Sequence, residues 1–184
     1  NGRMFAYPDF TRQIIAAGLK EVTISFHSHI EELSDRITEV KGSFLQTIKG
    51  IENLIKYSIV ISIDIVINKL NYIYLKETIE YFYKRFGISE FDLLHLTPFG
   101  RALSNYKDLK IFEEEERKAL KKAIKFANEH NIVIRTNRVP PHILEGYEQY
   151  IQDPHKILDE IYGRSEIFKT YLNGGTLECR EIRR

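Results

Sequence analysis

From Glu21 to His27 apolar and polar side chains take turns along the chain. Val22, Ile24 and Phe26 fall on one side of an extended backbone, and Thr23, Ser25 and His27 on the other. That period of two predicts a strand. The run Ile59 to Asn68, dense in β-branched residues, predicts a second, with Ile61, Ile63, Ile65 and Ile67 opposite Ser62, Asp64 and Asn68. Phe91 to Thr97, ended by Pro98-Phe99-Gly100, reads as a third that opposes Leu94 and Leu96 to His95 and Thr97. Ile132 to Thr136, before the breaker Pro140-Pro141, is a fourth; it sets Ile132 and Ile134 against Arg135 and, just past its end, Asn137.

Between these runs the period changes to that of a helix. Asp9 to Ala17 is helical and stops at Gly18. From Ser43, a candidate N-cap, to Tyr57 the residues Phe44, Ile48, Ile51 and Ile55 make one face, and Leu75, Ile79, Phe82 and Phe86 repeat that spacing between Tyr72 and Phe86. Glu113 to Glu129 is a long helix whose core stripe is Ala119, Leu120, Ala123, Ile124 and Ala127. Its opening run of four glutamates reads as a solvated first turn near the positive end of the helix dipole, not a cation site. The segment between His27 and Ser43 reads as turn-rich.

Strand followed by helix, four times over, is the pattern of right-handed βαβ units and predicts an α/β fold with a parallel sheet. Residues 1–139 form that unit. Residues 140–184 read as a mostly helical tail or cap, carrying Tyr147, Tyr150 and Tyr162 and an Asn173-Gly-Gly-Thr turn. Strands covered by helices on both faces read as apolar throughout, whereas these four each show one apolar and one polar face. The pattern therefore favours a barrel or half-barrel, with Ser25, His27, Asp64, Asn68, His95, Thr97 and Arg135 directed to one hollow whose mouth lies at the C-terminal strand ends. Unsatisfied, each such buried group costs roughly 1 to 3 kcal/mol, so a ligand or water has to answer them. Arg101, after the third strand, is placed to hold a carboxylate or phosphate at the mouth.

Charge and composition narrow the partners. Lys and Arg total 27 against 26 Asp and Glu, which leaves no electrostatic footprint for nucleic acid or an anionic membrane surface. With 43% hydrophobic and 29% charged residues, and no apolar run of the roughly 20 residues a span requires, the expectation is one globular domain without a membrane segment or leader, in the cytoplasm. Cys179, the only cysteine, can form neither an internal disulfide nor a multi-cysteine metal site. Because the chain opens on Asn1-Gly2 and stops at Arg183-Arg184, it is expected to be a fragment of a longer protein.

The order of motifs resembles the radical S-adenosylmethionine enzymes, especially members like those of molybdenum-cofactor synthesis and peptide maturation. The resemblance runs over about Asn1 to Asn137: the "NG" end of a strand, "GLKEVTISFHSH", "KGSFLQTIKGIENL" leading into "SIDIVINKLN", then "LLHLTPFGRA". It implies an N-terminally truncated, partial (β/α)6 TIM-like barrel holding S-adenosylmethionine and a [4Fe-4S] cluster, in which a 5′-deoxyadenosyl radical abstracts a hydrogen atom from a small-molecule or peptide substrate. It also implies an electron donor such as a flavodoxin or ferredoxin.

By motif position Ser25 and His27 match residues that contact the cofactor's ribose or carboxylate. Ile65 to Asn68 matches the segment near adenine and ribose, and Leu96 to Pro98, with Thr97 and Pro98, the segment that backs the adenine. Asp64, Lys69, His95, Arg101 and Arg135 are the substrate-side candidates. The family's cluster loop of three cysteines is not in this sequence, so no cluster ligand is expected within it and the fragment alone is expected to be inactive; Cys179 could begin a cysteine-rich segment. Two other readings stand beside this one. The first is an aldolase or isomerase of a phosphorylated metabolite, which would need a late phosphate loop that only "NGGT" offers. The second is a non-catalytic module that binds a small molecule or peptide on a degenerate barrel.

Overall fold

The computed structural model describes residues 1–152, so Tyr162, the Asn173 turn and Cys179 lie outside the described residues. The described chain is mixed α/β. Its four strands, β1 (Glu21–Ser25), β2 (Val60–Ile67), β3 (Glu90–His95) and β4 (Val133–Asn137), form one parallel sheet in the order β1-β2-β3-β4. Seven helices accompany them: α1 (Pro8–Ala16), α2 (Glu31–Thr38), α3 (Ser43–Leu54), α4 (Leu75–Phe86), α5 (Arg101–Ser104), α6 (Tyr106–Leu109) and α7 (Glu113–Glu129).

The register sorts the side chains. Ile24, Ile63, Phe91 and Ile134 align across the sheet, and all four are buried. On that face pack Phe44, Ile48, Ile51 and Leu54 of α3, Leu75, Ile79 and Phe82 of α4, and Leu120, Ala123, Ile124 and Ala127 of α7, in one core. Phe26 locks β1 to two of these helices by edge-on contacts with Phe44 and Phe82, at ring-centroid distances of 5.3 and 4.8 Å. Residues after Pro140 join the same core through Ile143 and Leu144. Tyr147 and Tyr150 pack against it, and Ile151 bridges in parallel to Thr136.

Several local expectations are corrected. The supposed turn-rich segment before Ser43 contains α2, a two-turn helix that offers the sequence pattern only Leu33 and Ile37 as apolar markers. Ser43 is not the N-cap of α3; Gly42 holds that place at φ 80°, and the capping acceptor is Asp35, whose carboxylate takes hydrogen bonds from the Phe44 N–H (2.8 Å) and the Ser43 hydroxyl (3.0 Å). Burial works to raise the Asp35 pKa, yet these bonds prevail and hold it below the usual carboxylate range. Leu54, not Ile55, completes the core face of α3, since the helix ends there and Ile55 turns to solvent.

Backbone also meets backbone. A Cβ on Gly50 would stand 2.5 Å from the Gly2 carbonyl oxygen, so only glycine lets the short 3₁₀ turn Arg3–Ala6 lie directly on α3.

Candidate functional site

One residue out of phase with the apolar row, a second row runs across the opposite face: Ser25, Asp64, Asp92 and Arg135. Arg135 pairs with Glu90 at 3.1 Å and lies 4.0 Å from Asp92, so part of this face satisfies itself. Thr23 and Ser62, a step toward the N-terminal ends, share a hydrogen bond of 2.9 Å.

At the C-terminal ends of β1, β2 and β3 the chain leaves a cavity of about 730 Å³, within the range that encloses small-molecule ligands. His27, Asn68, Leu96 and Lys69 come to it from the strand ends, Arg36 and Glu39 from the end of α2, and Arg101 and Asp108 from the α5–α6 segment. A second cavity of about 270 Å³, bounded by Asn1, Arg3, Ser25 and His27, adjoins it and shares His27, Ile37 and Arg101.

His27 is the hinge between the two spaces. Its Nδ1 accepts a long hydrogen bond of 3.4 Å from the Val66 N–H, which places the ring proton on Nε2. Burial is the main cause that lowers its pKa to about 4, so the imidazole is neutral at physiological pH. Below it an asparagine pair stitches the strand ends. Asn71, fully buried, donates to the carbonyls of His27 and Val66 at 2.9 Å each and accepts the Asn68 N–H at 2.8 Å. The Asn68 side chain closes the same turn, accepting the Leu70 N–H at 2.9 Å and donating to Val66. The Lys69 N–H then reaches the Leu109 carbonyl at 2.8 Å, tying this turn to the end of α6.

The expected residues therefore divide into groups. His27, Asn68, Lys69 and Arg101 come together at the larger cavity, and Ser25 joins His27 and Arg101 at the smaller. Asp64 and Arg135 share the open face with Ser25 but stand in neither cavity lining. Thr97 and Pro98 lie past the end of β3; the Thr97 carbonyl accepts the Phe99 N–H, and it is Leu96 of that segment that forms the wall.

His95 is the clear correction. It aligns with Ile67 and continues the phase of Phe91 and Leu93, and so it faces the helices and not the open side. There its Nδ1 meets both carboxylate oxygens of Glu116 at 3.0 Å. The hydrogen bond to Glu116 raises the His95 pKa against the opposing effect of burial, with Glu116 and Glu113 adding electrostatic support. Glu116 itself is 0% exposed, so the last of the four glutamates is a buried partner and not part of a solvated turn.

Sequence reasoning missed Arg36, Glu39, Asn71 and Glu116. Asn71 had a signal in the "NKLN" turn, where two asparagines three apart can bond each other's backbone. The next two strand-end residues, Ser28 and His29, close loops: the Ser28 hydroxyl accepts the Ile30 N–H at 3.1 Å, and His29 meets the Thr78 hydroxyl at 3.2 Å. No helix among the described residues is long and apolar enough to cross a membrane. No protein-family model matches the chain, and the comparison with curated proteins finds no match either.

Proposed function

We propose that this chain supplies part of the catalytic barrel of a cytoplasmic radical S-adenosylmethionine enzyme, a partial (β/α)6 barrel in which β1 to β4 form one wall. One observation carries the reading. The larger cavity takes its wall from His27, Asn68 and Leu96, on the same three strand ends to which the motif resemblance assigns the cofactor. Parallel α/β sheets place ligands at the C-terminal ends of their strands on general grounds, which agrees with this position.

The donor set fits a nucleoside bearing an amino-acid group. His27 offers a neutral Nε2–H that can bond a ribose hydroxyl or a carboxylate oxygen without bringing a charge. Asn68 and Asn71 hold the strand-end backbone in place, while Val66, Leu96 and Leu109 supply apolar wall and keep water from one side. When bound, S-adenosylmethionine supplies the 5′-deoxyadenosyl group whose radical abstracts a hydrogen atom from a small-molecule or peptide substrate. The described residues do not fit a [4Fe-4S] cluster, because no group of three His, Cys, Asp or Glu among them could hold a metal ion. The reading therefore assigns the cluster's thiolates, and the docking of a flavodoxin or ferredoxin donor, to sequence outside these residues.

Calorimetry of the full chain with S-adenosylhomocysteine tests the binding half of the proposal. Binding is expected, weakened about tenfold or more in His27→Ala; no binding at millimolar ligand would overturn it. For catalysis, the complete reading frame is expected to carry iron and sulfide and to release 5′-deoxyadenosine. The same cavity, lined without any thiolate, favours as second reading a non-catalytic module for a small molecule or peptide. That reading expects binding by the complete protein with no 5′-deoxyadenosine formed.

A further inference from the structure

We propose that the larger cavity receives an oxyanion of the substrate, a phosphate or a carboxylate, on Arg36, Lys69 and Arg101; this rests on reading the groove as a cofactor and substrate site. Three separate elements bring these cations to one cavity: the last turn of α2, the turn after β2, and the first residue of α5. Two carboxylates, Glu39 and Asp108, share the lining. Glu39 already pairs with Arg101 at 2.7 Å, across 62 positions of sequence. Arg36 and Lys69 make no ion pair with any described residue, although lysines elsewhere find carboxylates readily, as Lys76 and Lys84 both do on Glu80.

Chain geometry holds the arrangement. The Lys69 backbone is fixed by Leu109, and Glu39 ends α2 in the left-handed region at φ 56°, which sets its carboxylate against Arg101. The neutral His27 imidazole at the same cavity adds no charge of its own. An oxyanion entering here meets two uncommitted cations and a third that must loosen from Glu39, so Arg101 acts as a shared rather than a free ligand. All three cations are exposed, and the attraction is accordingly sensitive to ionic strength.

The test titrates inorganic phosphate and, separately, succinate into the full chain by calorimetry, at constant ionic strength in chloride, with and without saturating S-adenosylhomocysteine. At least one anion is expected to bind, and the preferred one names the group. Arg36→Gln and Lys69→Gln are each expected to weaken it about five- to tenfold, while Glu39→Gln, by releasing Arg101, tightens it about two- to threefold. An unchanged melting temperature is expected in Arg36→Gln and Lys69→Gln, both at exposed positions, and shows that those variants fold. The proposal is overturned if neither anion binds, if binding survives both lysine and arginine substitutions, or if S-adenosylhomocysteine displaces the anion and so claims the cations for the cofactor. Anion binding without any S-adenosylhomocysteine binding would instead sink the enzyme reading and leave the oxyanion site standing.

Discussion

On the helix side of the sheet, Ile24, Ile63, Phe91 and Ile134 meet across four strands and are shut from water; one residue along each strand, Ser25, Asp64, Asp92 and Arg135 carry oxygen and nitrogen to the other side. Each side also holds a histidine near a strand end, and the two are treated in opposite ways. His95 lies among the helices and is held toward its charged form by Glu116, whereas His27 stands between two cavities and is held neutral. A charge on the packed side is tolerable because its partner is fixed 3.0 Å away. On the cavity side the protein leaves an imidazole whose donor is free to meet a ligand. The lesson is that burial without a carboxylate keeps an imidazole neutral, as at His27, and that a bonded carboxylate overrides burial, as at His95.

The sharpest way to break the contrast is to remove one half of the packed pair. His95→Leu leaves the Glu116 carboxylate buried and alone, and about 3 kcal/mol of stability is expected to go, at the low end for such pairs because the His95 side chain is 26% exposed. The double variant His95→Leu, Glu116→Leu should recover most of it. Urea unfolding of both variants checks the pair, and equal losses in the two would show that the coupling is absent.

The two histidines should next separate by pH. Because the His27 pKa falls from 6.5 to about 4 on folding, its contribution is present above pH 6.5 and is lost as pH drops toward 4. The loss is at most about 3 kcal/mol, and less where cavity water reaches the ring. His95 has the opposite sign: its pKa is raised, so its contribution is complete below 6.5 and fades as pH climbs through the raised value. His27→Gln should flatten the acid limb of a stability–pH curve and His95→Gln the alkaline limb. If each variant altered the other limb, the assignments would be reversed.

Smaller effects sharpen the rest. On the sheet's other face Arg135→Met is expected to cost about 1 to 2 kcal/mol, because Arg135 is only 15% exposed and its loss takes the cation away from the Glu90 and Asp92 carboxylates. Asp35→Ala removes the acceptor at the start of α3 and is expected to cost about 1 kcal/mol, read from the melting temperature. Ser25→Ala, at an exposed position, should change stability by only a few tenths of a kcal/mol.

The strands and the long helices were legible because each has a strong period, and Gly18, Gly42, Gly87 and Pro98 mark some of the breaks between them. What misled was the phase of β3. In "FDLLHLT" two adjacent leucines let either phase look apolar, and the reading that follows Leu94 and Leu96 throws His95 to the wrong side. Phe91 followed by Asp92 was the better guide, because Phe91 is fully buried against the helices and Asp92 carries its charge to the opposite face. Asp35 and Glu116 were illegible for another reason. Their partners lie eight to twenty-one positions away, and no local period records a contact made through folding. At the candidate site, His27, Asn68, Lys69 and Arg101 could be read from strand-end position. Arg36 and Glu39 could not, because their helix had itself gone unread.

Gly50 lies on the far side of α3's story, where two stretches of main chain touch with no room between them. A single methyl group there would act as a wedge: it would lift the opening residues of the chain off their helix and carry Asn1 and Arg3 with them. Those two residues wall the smaller chamber beside His27, so the shape of that chamber is set from behind, by an atom the protein does not have.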